Sequence, residues 1–378
     1  MIFEIRINGI SFTLWESATV NRSIDSNSGA FRFTNSSTAP FIKYPVKTGD
    51  FVEILISGKR KIAGFIDSII RNQDADSHTV EVSGRDNIQD LIDSSIPDGA
   101  KVTEGPITLK ALCEKVIASL GAKIKVFEYV QGITEFSDED LMAAGSGSTC
   151  MAYLVSFARK RQVYLVPDGS GNLLIFRPDK NAKSSGQLIH RISGNKNNIV
   201  SYSIRLDQND RYNDYLCRSQ DNFGFDPDAD YSGEGTDRKS TVKDDQIRST
   251  RYLEIKAEET MSEDECKSRA AEQSNHRRSL GTEYMATVPG VTQSDGTVLD
   301  FGQFVEITDD YADISGRFLI KSVEYSQDIK RGTRTRLIAV MPDAYQPIAQ
   351  PSRATERIAG TGAAFQNKTP ILQTGQLR

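Results

Sequence analysis

Apolar and polar residues alternate through most of the first 86 positions. Met1-Ile2-Phe3-Glu4-Ile5-Arg6 reads as a strand, as do Val20-Asn21-Arg22-Ser23-Ile24 and Phe31-Arg32-Phe33, with Ser26-Asn27-Ser28-Gly29 as the turn between the last two. Further strand-like runs span 51–56 and 62–69, punctuated by Gly49-Asp50 and Gly58-Lys59. Short strands with regular turns predict a small barrel or sandwich. From residue 87 the period changes. A short helix is expected from Asp86 to Leu91. A stronger one starts at Pro106, carries Leu109, Leu112, Cys113, Val116, Ile117 and Leu120 as an apolar stripe, and is capped by Gly121. A third helix spans about Thr149 to Arg161, followed by a hairpin with Asp168-Gly169 between Val163-Tyr164-Leu165-Val166 and Leu173-Leu174-Ile175-Phe176. Alternation resumes at Val200, Tyr202, Ile204 and Leu206. A polar excursion covers about 222–246, and a helix opened by the capping box Ser262-Glu263-Asp264-Glu265 runs to Arg278. After Met341 the pattern fades into a polar tail, expected to reach across a neighbour or stay mobile.

The chain also repeats itself. Gly49, Phe51, Val52, Glu53 and Ile54 return 253 positions later as Gly302, Phe304, Val305, Glu306 and Ile307. Phe65-Ile66-Asp67-Ser68-Ile69 is answered by Leu319-Ile320-Lys321-Ser322-Val323, and each copy is followed by a third β-like run, 78–84 and 333–340. Two copies of one β-domain on one chain let a ring imitate twice its subunit number. The expected fold class is therefore α+β and multidomain: a first β-barrel at 1–86, an α/β domain at 87–198, and a second β-barrel at 199–345. That second barrel carries a polar and helical insertion around 222–283, and an extended tail follows at 346–378. Phe51 and Phe304 are expected to be equivalent core residues, Gly49 and Gly302 to serve turns, and Glu53 and Glu306 to line a channel or pair with Arg across an interface.

Composition narrows the function. At 378 residues, 38% hydrophobic and 26% charged, with net charge −5, the chain is a folded protein of several domains. The acidic balance argues against stable nucleic-acid binding through bulk positive charge. No apolar run approaches a membrane span, so no membrane insertion is expected. Cys113, Cys150, Cys217 and Cys266 are scattered without metal-ligand spacing, so neither zinc nor a disulfide framework is indicated, and folding in a reducing cytosol is expected.

Reactive chemistry is scarce. His78, His190 and His276 lie far from one another and from any nucleophile in sequence, and are expected at surfaces or interfaces. Gly145-Ser146-Gly147-Ser148-Thr149 lacks the Lys of a phosphate-binding loop and reads as a flexible loop ending in a helix N-cap. Asp226, Asp228, Asp230, Glu234 and Asp237 resemble a calcium loop, but Tyr231 stands where Gly is needed and Asp237 where Glu is, so a solvated acidic loop is expected. Asp244-Asp245 and Asp309-Asp310 are likewise expected to be solvated turn carboxylates. Arg269, Arg277 and Arg278 form either a solvated helix face or an ion-pair surface against another subunit. No catalytic residue, cofactor or metal site is assigned.

The order of segments carries a resemblance. Ser23-Ile24-Asp25, Ser28-Gly29-Ala30-Phe31, the first echo, Gly64-Phe65-Ile66-Asp67, Ser83-Gly84-Arg85-Asp86 and Asp90-Leu91-Ile92-Asp93 resemble the N-terminal half of baseplate hub proteins of Mu-like contractile-tailed phages. The helix ending at Arg161 with its hairpin resembles their middle domain. Ser294-Asp295-Gly296, the second echo and Met341-Pro342-Asp343-Ala344-Tyr345 resemble their C-terminal region. The resemblance implies a structural virion protein, not an enzyme. It implies a homotrimer with two tube-like barrels per chain, matching a hexameric tail tube and adjacent baseplate proteins on one side and a separate trimeric spike protein on the other. Assembly in the bacterial host cytoplasm and a place in the tail baseplate follow, as does kinship with the hub part of type VI secretion spikes. The competing readings are a tail-associated peptidoglycan hydrolase using scattered carboxylates and a receptor- or carbohydrate-binding tail module. Trp15, expected to pack inside the first β-domain, counts against the latter.

Overall fold

The computed structural model describes residues 2–37, 45–74, 78–102, 104–137, 141, 149–219, 238–256, 263–293 and 295–346. Strands β1 (Phe3–Ile7), β2 (Ile10–Phe12), β3 (Ser17–Ser23), β4 (Ala30–Ser37), β5 (Phe51–Ile56), β6 (Lys59–Gln73) and β7 (His78–Asp86) come first. Helices α1 (Gln89–Asp93) and α2 (Leu109–Ser119), strand β8 (Val126–Glu128), helix α3 (Cys150–Lys160) and strands β9 (Tyr164–Pro167) and β10 (Leu173–Phe176) follow. Then come β11 (Gly186–His190), β12 (Ser201–Leu206), β13 (Asp214–Ser219), β14 (Arg238–Lys243), β15 (Tyr252–Lys256) and helix α4 (Glu263–Leu280). The chain closes with β16 (Thr282–Pro289), β17 (Phe304–Asp309), β18 (Ile314–Asp328) and β19 (Gly332–Val340). The protein is mostly β with few helices, and multidomain, a coarser class than the expected balance of α and β.

Thirteen strands form one sheet, and its path contains the same unit twice. The first unit runs β3-β4-β7-β6-β5-β1-β2 and the second β12-β16-β19-β18-β17-β11. β6 and β18 are each 15 residues long, and β7 and β19 are each nine. Phe51 lies opposite Phe65 as Phe304 lies opposite Leu319. The slippage in the echo is a β-bulge present in both copies: register shifts between Ile66 and Ser68 and between Ile320 and Ser322, with Asp67 and Lys321 as the extra residues. The turns match as well. Gly49 and Gly302 have φ of +84° and +78°, which a glycine adopts without a Cβ clash, and donate to the carbonyls of Ile66 and Ile320, both at 2.8 Å. One difference stands out: β1 joins β5 antiparallel, whereas β11 joins β17 parallel.

Among the described residues neither unit forms a closed sheet, so the two expected tube-like barrels are not seen as closed structures. The units are instead joined edge to edge where β3 pairs antiparallel with the second half of β18. The reason is the length of β18. Its first six residues pair with β17, and its last seven extend past that partner and meet β3 on the same edge. A single apolar cluster, from Phe3, Val20, Val52 and Ile54 through Val305, Ile307, Val323 and Tyr325, spans both units.

A second cluster draws on residues 88–175, where α2 and α3 cover the small sheet β8-β10-β9. Helix α2 starts later than expected: Pro106 follows a cis peptide bond, and Thr108 is the cap, its hydroxyl accepting from the Ala111 N–H at 3.2 Å. Thr149 caps α3 in the same way through Ala152. A third sheet, β14-β13-β15, packs on α4 over Tyr215, Cys217, Cys266 and Ala270. The polar excursion thus contains strands on both flanks, and β13 begins earlier than the expected insertion. All four cysteines are buried and free.

Candidate assembly interface

The seam between the two β units concentrates the unusual chemistry of the molecule. β3 presents Arg22 inward, because on this strand Ala18, Val20 and Arg22 share the buried face. Its guanidinium pairs with Asp300, which sits just before β17, and donates from Nη2 to the Pro167 carbonyl at 2.9 Å. Lys61, buried on β6, reaches the same Asp300 carboxylate at 2.6 Å. One carboxylate of the second unit therefore holds two cations of the first. The apolar walls are aromatic: Phe301 lies 4.7 Å below the Arg22 guanidinium, and Tyr325 donates its hydroxyl to the Leu299 carbonyl. Burial pushes the Lys61 ammonium below its ordinary pKa, and neighbouring Arg22 adds to this, while Asp300 pulls the other way.

Polar bridges run along the rest of the seam. Lys321, the bulge residue of β18, contacts Asp25 at 3.1 Å and Glu283 at 2.9 Å. Tyr345 donates to Asp25 at 2.6 Å, and the Asn27 side chain donates to the Leu165 carbonyl at 2.9 Å, tying the α/β segment to the same line. Gly169 approaches the Lys61 carbonyl so closely that a Cβ would stand 3.0 Å from its oxygen. The β3 turn is fixed from behind by Asp86, which accepts from Gly29 N at 2.9 Å and Ile88 N at 3.0 Å. Burial raises the Asp86 carboxyl to about 6, with those hydrogen bonds acting in the opposite direction.

The duplicated residues are equivalent in register but not in surroundings. Val52, Ile54, Val305 and Ile307 are buried. Phe304 is fully buried under Phe301 and Phe176, whereas Phe51 is only half-buried and meets Phe65 edge-on. The two phenylalanines occupy matched positions, but Phe304 joins an apolar cluster with Val166 and Phe176 of the α/β segment and Phe51 does not, so the expected equivalence as core residues fails for Phe51. Glu53 pairs with Arg60 at 2.7 Å in its own hairpin, and Glu306 accepts from Ser184 at 2.8 Å. Arg278 bonds Asp244 at 3.3 Å and Arg277 donates to the Asp210 carbonyl at 3.1 Å, so both engage the chain's own third sheet and its flank. Arg269 is half-buried on the same helix.

Two carboxylates expected in solvent are buried. Asp244 accepts from Arg211 at 2.7 Å as well as from Arg278; burial opposes its charge, but these cations win and hold its pKa below the ordinary value. Asp309 accepts from Tyr284, from the N–H groups of Tyr311 and Ala312 at 2.9 and 3.0 Å, and lies 3.3 Å from His190. Burial again works upward, and these donors bring its pKa below the ordinary value. His190 stacks on Tyr311 at 4.7 Å, and Trp15 packs on Phe3 as expected. A cleft of about 400 Å³ beside α4 contains Asp207, Asp210 and Glu283, of which Asp207 and Glu283 are ion-paired to Arg205 and Lys321. Among the described residues no three His, Cys, Asp or Glu side chains are grouped to hold a metal, and no helix is long and apolar enough to cross a membrane. The acidic residues 226–237, the glycine-rich 142–148 and the tail 347–378 lie outside the described residues.

Sequence reasoning missed Arg22, Lys61 and Asp300. The echo held a signal for the last: Asp300 stands two residues before Gly302, where the first copy has Lys47 before Gly49. A reversal of charge at matched positions marks where the copies face different neighbours.

Residues 2–86 match the family described as Mu phage baseplate assembly protein GpP-like, N-terminal. The chain is 26% identical over 345 residues to baseplate hub protein gp44 of Escherichia phage Mu, covering 88% of this chain and 86% of that protein. Its fold is that of the 43 kDa tail protein of prophage MuSo2 from Shewanella oneidensis, with TM-score 0.75, 24% identity, and coverage of 91% of this chain and 98% of the other. A type VI secretion system component from E. coli, described as structurally similar to T4 tail proteins gp27 and gp5, superposes with TM-score 0.51 at 11% identity over 92% of this chain and 80% of the other. The resemblance to Mu-like baseplate hub proteins read from the colinear segments is thereby shown.

Proposed function

We propose that this chain is the baseplate hub of a Mu-like contractile tail: a homotrimer whose six β units adapt a hexameric tail tube to a trimeric spike. The observation that carries the reading is the pair of matched units set side by side in one sheet through β3 and β18. Two units with the same strand order, bulge and turn present nearly the same rim twice, so three chains present it six times. Each unit is then one segment of a tube wall, with residues 1–86 as the first and 199–345 as the second. The 87–198 segment, apart from β11, which belongs to the second unit's sheet, and the insertion around 222–283 decorate the outside. The tail at 346–378 is assigned to contact with the spike or a neighbouring chain. Localisation is the virion baseplate, after assembly in the host cytoplasm.

A structural rather than catalytic role fits the carboxylates, since Asp244, Asp300 and Asp309 are engaged by cations or hydrogen-bond donors and not aimed into a cleft. Light scattering on the purified chain tests the assembly: a mass of three chains is expected, and a monomer persisting at high micromolar concentration overturns it.

A further inference from the structure

The intrachain seam uses one edge from each unit and leaves the matching pair of edges unused. In the second unit, residues 322–328 of β18 pair with β3; the matched residues of the first unit, Ser68–Gln73 of β6, pair only with β7 among the described residues. β3 matches β12 because each is the outermost strand of its unit, and β12 pairs only with β16 among the described residues. Both lone edges carry exposed apolar side chains: Ile70 is 48% and Leu206 71% exposed. Long open edges with apolar residues invite another strand.

We propose that β6 of one copy pairs antiparallel with β12 of the next, in the register of the β18–β3 seam; this rests on the trimeric-hub reading. The register follows from matched positions. Ser322 corresponds to Ser68 through the shared bulge, and Val20 corresponds to Ile204 through their partners Phe31 and Tyr284. Because Ser326 pairs with Thr19, Asn72 pairs with Ser203 of the second copy; because Val323 pairs with Arg22, Ile69 pairs with Leu206. Arg71 then faces Ile204, and Ile70 faces Arg205. The occupant is a second copy and not an unrelated strand, because the chain already joins one such pair of edges to itself. Ile69, already packed against the core at its edge, gains the apolar cover that Val323 has within the chain.

Paired antiparallel residues have Cα atoms about 4.5–5.5 Å apart, within disulfide reach. The test oxidises full-length chains carrying Asn72→Cys with Ser203→Cys, with the off-register pair Asn72→Cys with Leu206→Cys as control. The four native cysteines are buried. Arg71→Cys with Ile204→Cys covers the other hydrogen-bonding class of pair, and Thr19→Cys with Ser326→Cys reports the same geometry inside one chain. The expected result is chain-to-chain disulfides in one or both on-register variants, with a covalent trimer as the largest species and at least tenfold less product off register. A trimer by light scattering without on-register crosslinks, while Thr19→Cys/Ser326→Cys closes, overturns this pairing and leaves the hub reading standing. Disulfides within one chain also overturn the pairing, and a monomer overturns both.

Discussion

Asp300 holds Arg22 and Lys61 together, and Arg22 also lies within electrostatic reach of the buried Asp86 carboxyl. Removing one member of such a buried set leaves charge without compensation, which costs far more than the set contributes when intact. Asp300→Ala is expected to destabilise the folded chain by about 3–5 kcal/mol in urea unfolding; a loss under 1 kcal/mol would mean that water reaches the seam. Asp86 acts differently. Its folded pKa of about 6 lies above the ordinary 3.8, so between those values the folded state holds the proton more than the unfolded state does. This group's contribution therefore makes stability fall as pH rises from about 4 to 6. In Asp86→Asn that component of the slope disappears, although the amide, with one acceptor where the carboxyl has two, costs about 1–3 kcal/mol at every pH. Urea midpoints at pH 4, 5, 6 and 7 check it, and an unchanged slope would refute the assignment.

At the level of elements, helix α4 shows packing by charge. Its exposed face is polar, its buried residues are few, and Arg277 and Arg278 anchor it to the flank of β13 and β14 through the Asp210 carbonyl and Asp244. Asp244→Ala strips the counter-charge from Arg211 and Arg278 together. Hydrogen exchange is expected to quicken across 212–280 while β5–β7 and β17–β19 keep their protection; equal loss everywhere would show that this layer is not a separate cooperative unit. The strands of both units were legible because alternation on a half-buried sheet is a strong signal, and the glycine turns because Gly49 and Gly302 recur with φ above zero. Helix α2 was legible in its stripe but not in its start, since Thr108 caps it and Pro106 lies upstream. The buried state of Asp244 and Asp309 was not legible. Turn-like sequence suggests solvent, and only the fold brings Arg211, Tyr284 and His190 to them. Lys61 escaped notice for the same reason: its partner is 239 residues away.

Over the whole molecule, the repeat carries the argument. Sequence supplied the duplication, and the matched bulges at Asp67 and Lys321 sharpen it from a likeness of motifs to a likeness of strand pairing. The join between units was beyond reach, because nothing in β3 or β18 announces that they meet. Two tube-like barrels were the expectation, and among the described residues the two units share one sheet. A shared sheet strengthens the case for a ring, since the first unit's β6 and the second unit's β12 remain as complementary ends. The measurement that bears most directly on this account is an end-on electron cryomicroscopy view of the isolated assembly. The account predicts a closed ring of three chains showing six similar β lobes around a channel. A ring with any other number of lobes, or three chains whose β units do not share a common axis, would contradict it.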